Sequence, residues 1–150
     1  MGLKETLQND LTEAIRSRDE LTSGTIRMVL SAITNEEVSG KSARVLTDAE
    51  IITVLSREAK KRREAADAFR DAGRADKAEL ETSEGAVIGR NLPEQLSEDA
   101  IKKLITDAIA ETGAAGPSGM GLVMKKIQPQ IAGKADGGLV SSLVKAALNG

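Results

Sequence analysis

The stretch Gly119–Gly138, GMGLVMKKIQPQIAGKADGG, decides how this chain is read. Met120, Val123, Met124 and Ile127 recur at i, i+3, i+4 and i+7, the spacing of one helix face. Lys125 and Lys126 lie off that face. Pro129 has no N–H and its ring clashes with the preceding turn, so the helix is expected to end or kink there. The turn Ala132-Gly133-Lys134-Ala135-Asp136-Gly137-Gly138 follows. Its glycines permit close backbone approach, and Asp136 is a candidate cap for another helix. The stretch predicts two short helices joined by a lysine-bearing turn. That is a surface for gripping a partner, with no residue set for covalent chemistry.

The same periodicity extends outward in both directions. Downstream, Leu139, Val140, Leu143, Val144, Ala147 and Leu148 predict a last helix. Upstream, Gly116-Pro117-Ser118 is a turn, with Ser118 the expected cap of the central helix. Ile101, Leu104, Ile105, Ala108 and Ile109 form a helix that starts at Ser97 and closes at Gly113. Leu92-Pro93 marks a boundary, because proline pushes the residue before it out of helical conformation. Before it, Leu3, Leu7, Leu11, Ala14 and Ile15 predict a first helix ending near Arg18. A second is expected from Thr22-Ser23, with Ile26, Val29, Leu30, Ile33 and Val38 inward. Thr47 with Glu50 three residues on is a capping box that starts a third helix, which Gly73 ends. Asp76 is the expected cap of a fourth, with Leu80, Val87 and Ile88 inward. The expected architecture is all-α: a four-helix N-terminal domain over 1–91 and a small three-helix C-terminal domain over 92–150.

Aromatic residues make up 1% of the chain, a lone Phe69, so the core must be built from aliphatic side chains. Cysteine and histidine are both absent. This removes disulfides, thiolate metal sites, the usual general base and the commonest metal ligand. Adjacent carboxylates such as Glu36-Glu37 diverge by about 100° on a helix and do not converge on a substrate. No catalytic residue, cofactor or metal is therefore expected. The segment MGLKETLQNDL carries acids early and lacks the apolar core of a signal peptide. No apolar run approaches the roughly 20 residues of a membrane span. A cytoplasmic location with no membrane partner is expected.

The formal net charge is −2, which excludes a generic polyanion binder, but charge is unevenly spread. Residues 112–150 hold Lys125, Lys126, Lys134 and Lys145 against Asp136 alone. These lysines are candidate phosphate contacts, and Gly133, Asp136 and Gly137 frame the helix start beside them. A second candidate contact is the run of Arg57, Lys60, Lys61, Arg62 and Arg63, although Glu58, Glu64 and Asp67 interrupt its positive field. Gly40-Lys41-Ser42 imitates the end of a phosphate-binding loop, and Gly116, Gly119 and Gly121 a glycine fingerprint. No strand supports either one.

Several pieces, in order, resemble the GatB/YqeY family. They are Ile26-Arg27-Met28-Val29, Asn35-Glu36, Leu55-Ser56-Arg57-Glu58 with Lys60 and Arg62-Arg63-Glu64, Leu92-Pro93-Glu94-Gln95-Leu96-Ser97, Met120-Gly121-Leu122-Val123-Met124 and Gly133-Lys134-Ala135-Asp136-Gly137. Asn91 departs from the family's pattern, which usually has an aromatic there. The resemblance implies kinship with the tail of the B subunit of the glutamine-dependent tRNA amidotransferase, a carbon–nitrogen ligase. That tail helps hold tRNA, and the catalytic parts lie elsewhere. The resemblance implies a tRNA-holding protein that is not catalytic alone, placed beside an aminoacyl-tRNA synthetase or an amidotransferase subunit. The alternative reading is a protein–protein adaptor. Oligomeric state is left open.

Overall fold

A computed structural model describes residues 2–149. They form seven α-helices and one short 3-10 turn, with no strand among the described residues. The helices are α1 (Leu3–Arg16), α2 (Glu20–Glu37), α3 (Asp48–Asp71), α4 (Ala75–Gly89), α5 (Glu98–Thr112), α6 (Met120–Ile131) and α7 (Gly137–Asn149). The 3-10 turn, Pro117–Gly119, leads directly into α6. The chain divides into two compact units, Met1–Leu92 and Pro93–Gly150.

The first unit holds α1 to α4 around Leu7, Ile26, Val29, Ile33, Leu46, Ile51, Leu55, Val87 and Ile88. Its most extensive helix pair is α3 with α4. Helix α3 starts where the capping box predicts: Thr47 Oγ1 accepts from the Glu50 amide at 3.2 Å. Helix α2 starts earlier than expected. Arg18 takes a left-handed conformation at φ 59°, and Asp19 caps the helix by accepting from the Thr22 amide at 3.0 Å and the Thr22 hydroxyl at 2.7 Å. Thr22 and Ser23 are therefore buried in the first turn instead of opening it. The same amide bond, then the hydroxyl bond, lowers the Asp19 pKa below its ordinary value. Helix α1 correspondingly ends at Arg16 rather than Arg18.

Three further expectations change in this unit. Helix α4 is capped at Arg74 with no side-chain bond, and Asp76 lies inside the first turn. Leu80 points outward and is 52% exposed; Ala78, Val87 and Ile88 are the buried residues of α4. Val38 is the exposed residue that ends α2. Its neighbour Glu37 is buried and links separate parts of the chain. Its carboxylate accepts from Lys4 Nζ at 2.8 Å and from the Leu46 amide at 3.3 Å. The Lys4 bond outweighs desolvation and holds the Glu37 pKa below the ordinary carboxylate value.

The second unit packs α5, α6 and α7 around Ile101, Ile105, Val123, Ile127, Ile131, Val140 and Val144. Ser97 caps α5 by accepting from the Ala100 amide at 3.1 Å, and Gly113 ends it at φ 68°. Pro129 does not end α6. It occupies the third-last position, where its missing N–H forfeits one hydrogen bond, and the helix continues to bury Ile131. Ser118 does not cap α6 either; it lies within the 3-10 turn, and Gly119 stands at the cap position.

The Gly116–Gly121 cluster has a packing explanation. Gly116 sits at φ 67°, ψ −178°, a region open essentially to glycine alone. A methyl on Gly119 would stand 2.9 Å from the Ala114 Cβ, closer than real contacts. Gly121 faces open space. Gly40-Lys41-Ser42 lies in the exposed loop after α2, following a helix where a phosphate-binding loop would follow a strand.

Candidate nucleic-acid interface

The fold places the predicted lysines by fixing what lies between them. Burial of Val123, Ile127 and Ile131 turns one face of α6 inward. Lys125 and Lys126 are thereby forced out, diverging by about 100° as consecutive helical residues do. Leu122 lies between them on the outer face and is 56% exposed. Burial of Val140 and Val144 orients α7 in the same way, leaving Lys145 exposed.

The four lysines differ in their surroundings. Lys126 Nζ lies 3.0 Å from Glu111 Oε2 of α5, so part of its charge is committed within the unit. Lys125, Lys134 and Lys145 are exposed and form no ion pair among the described residues. At the start of α7, Asp136 Oδ1 accepts from the Gly138 amide at 3.3 Å. It thus occupies an N–H that a phosphate would otherwise use, and Gly137 is the first helical residue.

Lys134 sits on a turn that the chain holds from a distance. Gly133 is left-handed at φ 73°, and the Lys134 amide donates to the Ile131 carbonyl at 2.8 Å. The Leu96 amide donates to the Lys134 carbonyl at 2.8 Å. Gln95 Nε2 donates to the carbonyls of Gly133 at 2.9 Å and Pro93 at 2.8 Å. A cleft of about 420 Å³ opens here, lined by Glu94, Gln95, Leu96, Ser97, Ala100 and Lys134. The Leu-Pro-Glu-Gln-Leu-Ser and Gly-Lys-Ala-Asp-Gly pieces, far apart in sequence, therefore meet in space. Sequence reasoning did not assign Gln95 a role. Its only signal was membership of the first piece.

The second basic run is differently placed. Arg62 lies at the α3–α4 interface among three carboxylates, 3.4 Å from Glu84, 3.5 Å from Glu81 and 3.9 Å from the buried Glu58. Lys61 pairs with Glu58 at 3.1 Å, and Arg57 with Glu36 at 3.7 Å. Lys60 and Arg63 also make interactions of their own. The run is a charge-compensated part of the first unit, not an open field of cations. Asn35, Glu36, Arg57 and Glu58 line one cleft of about 320 Å³. Asn91, at the departure from the aromatic pattern, lines another of about 290 Å³ with Asp10, Asp19 and Arg90.

Among the described residues no cluster of three or more acidic side chains has metal-binding geometry, and no helix is long and apolar enough to cross a membrane. Known proteins and one family model are similar to this chain. An uncharacterized protein of Schizosaccharomyces pombe is 34% identical over 97 residues, covering 64% of this chain and 76% of that protein. The protein named "Altered inheritance of mitochondria protein 41, mitochondrial" of Clavispora lusitaniae is 30% identical over 149 residues, covering 97% of this chain and 84% of its own. The model of the family described as Yqey-like protein matches residues 4–148. With that match running through both units, the chain belongs to the YqeY-like family.

Proposed function

We propose that this protein is a non-catalytic tRNA-holding module, and that the second unit makes the grip. The observation that carries the reading is the charge pattern of that unit. Residues 113–150 hold four lysines against one aspartate, and three of those lysines are exposed without an ion pair among the described residues. Lysines so placed neutralise backbone phosphates and release counterions, giving shape- and salt-dependent binding with little sequence readout. The kinship with the amidotransferase tail supports RNA as the polyanion. The reading takes residues 92–150 as a domain in its own right and the cytoplasm as the place where tRNA is met.

The test is binding of total tRNA to the full chain across a salt series. Three phosphate contacts give a slope of log K against log salt of about −2 to −3. Replacing Lys125, Lys134 and Lys145 by glutamate should abolish that slope. Wild-type protein that fails to bind at low salt refutes the reading.

One observation favours a second reading, a protein–protein adaptor. Leu122 on α6 and Leu139 on α7 stand exposed, 56% and 40%. Apolar anchors on short helices suit a partner helix, and such binding would show little salt dependence.

A further inference from the structure

We propose that Gln95 is a positioning residue for RNA, acting through Lys134. The inference rests on the tRNA-holding reading above and adds a residue and a device to it. Three backbone polar groups at the Lys134 turn are held. The Lys134 N–H donates to Ile131, its C=O accepts from Leu96, and the preceding Gly133 C=O accepts from Gln95. Gln95 spends both amide hydrogens on carbonyls, one on Pro93 in its own strap and one on Gly133 across the turn. It therefore fastens the strap to the turn 38 residues away.

The side chain of Lys134, by contrast, has no ion pair among the described residues and stands exposed at the rim of the cleft. A fixed backbone beneath an uncommitted ammonium is the arrangement of a pre-positioned contact. Ordering the turn before binding removes a cost that a mobile turn would bear on meeting a phosphate. Lys125 and Lys145 sit within α6 and α7, and neither has such a side-chain tether among the described residues. Gln95 itself is exposed, so core packing does not account for its placement.

The experiment is a double-mutant cycle on the full chain, read by tRNA affinity at fixed low salt. The variants are Gln95→Met, which keeps length and lacks the donors, Lys134→Ala, and the two combined. Gln95→Met should weaken binding at least threefold in the wild-type background and have no further effect once Lys134 is gone. A merely structural role for Gln95 would weaken both backgrounds equally, and that additive outcome overturns the inference while leaving the tRNA reading standing. An unaffected Gln95→Met protein overturns it as well. Absence of tRNA binding by the wild type removes the reading and the inference together. Far-ultraviolet circular dichroism on each variant checks that the helices are retained, and Gln95→Ala serves in place of Gln95→Met if the methionine variant loses them.

Discussion

Replacing Gly119 by alanine tests whether the glycine cluster before α6 exists for packing. The added methyl would stand 2.9 Å from the Ala114 Cβ and 3.3 Å from its Cα. Ordinary carbon contacts lie at about 3.5–4.0 Å, so the neighbour has to retreat by about 0.6–1.1 Å. The neighbour is backbone-proximal and cannot swing aside like the end of a long side chain. Overpacking of this kind costs about 1–3 kcal/mol. Gly119 has an ordinary helical conformation, φ −81° and ψ −8°, so alanine introduces no backbone strain and regains about 0.5–1 kcal/mol of chain entropy. The net expectation is a loss of about 1–2 kcal/mol. In a unit this small, each kcal/mol lowers Tm by about 4–8 °C. The chain has no tryptophan or tyrosine, so the loss is best read by circular dichroism with hydrogen exchange resolved over α5 to α7. Ala114→Gly in the same chain removes the opposing methyl and should restore most of the stability. A Gly119→Ala protein as stable as wild type, or one that Ala114→Gly does not rescue, refutes the packing argument.

Two further outcomes follow from the charge arrangement of the first unit. Arg62→Ala leaves Glu58, Glu81 and Glu84 crowded without their shared cation; the side chain is partly buried, and a loss of about 2–3 kcal/mol is expected in urea denaturation. Glu37→Gln tests the pH dependence. The folded pKa of Glu37 is depressed, so its contribution is present above the ordinary carboxylate value of 4.5 and is lost as pH falls through the lowered folded value. Stability of the glutamine variant should therefore fall less than wild type between about pH 5 and pH 3, and parallel acid limbs would contradict the assignment.

What the sequence disclosed followed how local each signal was. The starts of α3 and α5 were readable because Thr47 with Glu50, and Ser97 with Ala100, complete their caps within three residues. Gly73 and Gly113 were readable as helix ends because left-handed conformation selects glycine. The start of α2 was not, because the left-handed residue there is Arg18, whose type gives no warning. Pro129 misled because a proline near the end of a helix forfeits little, while continuing the helix buries Ile131. The aliphatic spacing of α4 admitted Leu80 to the inner face, but the packing against α3 selected Ala78, Val87 and Ile88 instead. At the candidate interface, the positions of the lysines were legible and their partners were not. Lys126 meets Glu111, Arg62 meets Glu81 and Glu84, and Gln95 reaches Gly133, all through tertiary packing that no local spacing encodes.

The aliphatic cores also decide how this protein can be watched. With Phe69 the lone aromatic ring, ring-current dispersion and near-ultraviolet signals are scarce. Methyl groups take their place as reporters. Ile26, Ile33, Ile51 and Ile88 are buried in the first unit, and Ile101, Ile105, Ile127 and Ile131 in the second. Selective labelling of isoleucine δ1 methyls thus gives each unit its own set of buried resonances. An RNA titration followed on those resonances would show directly which core feels the ligand.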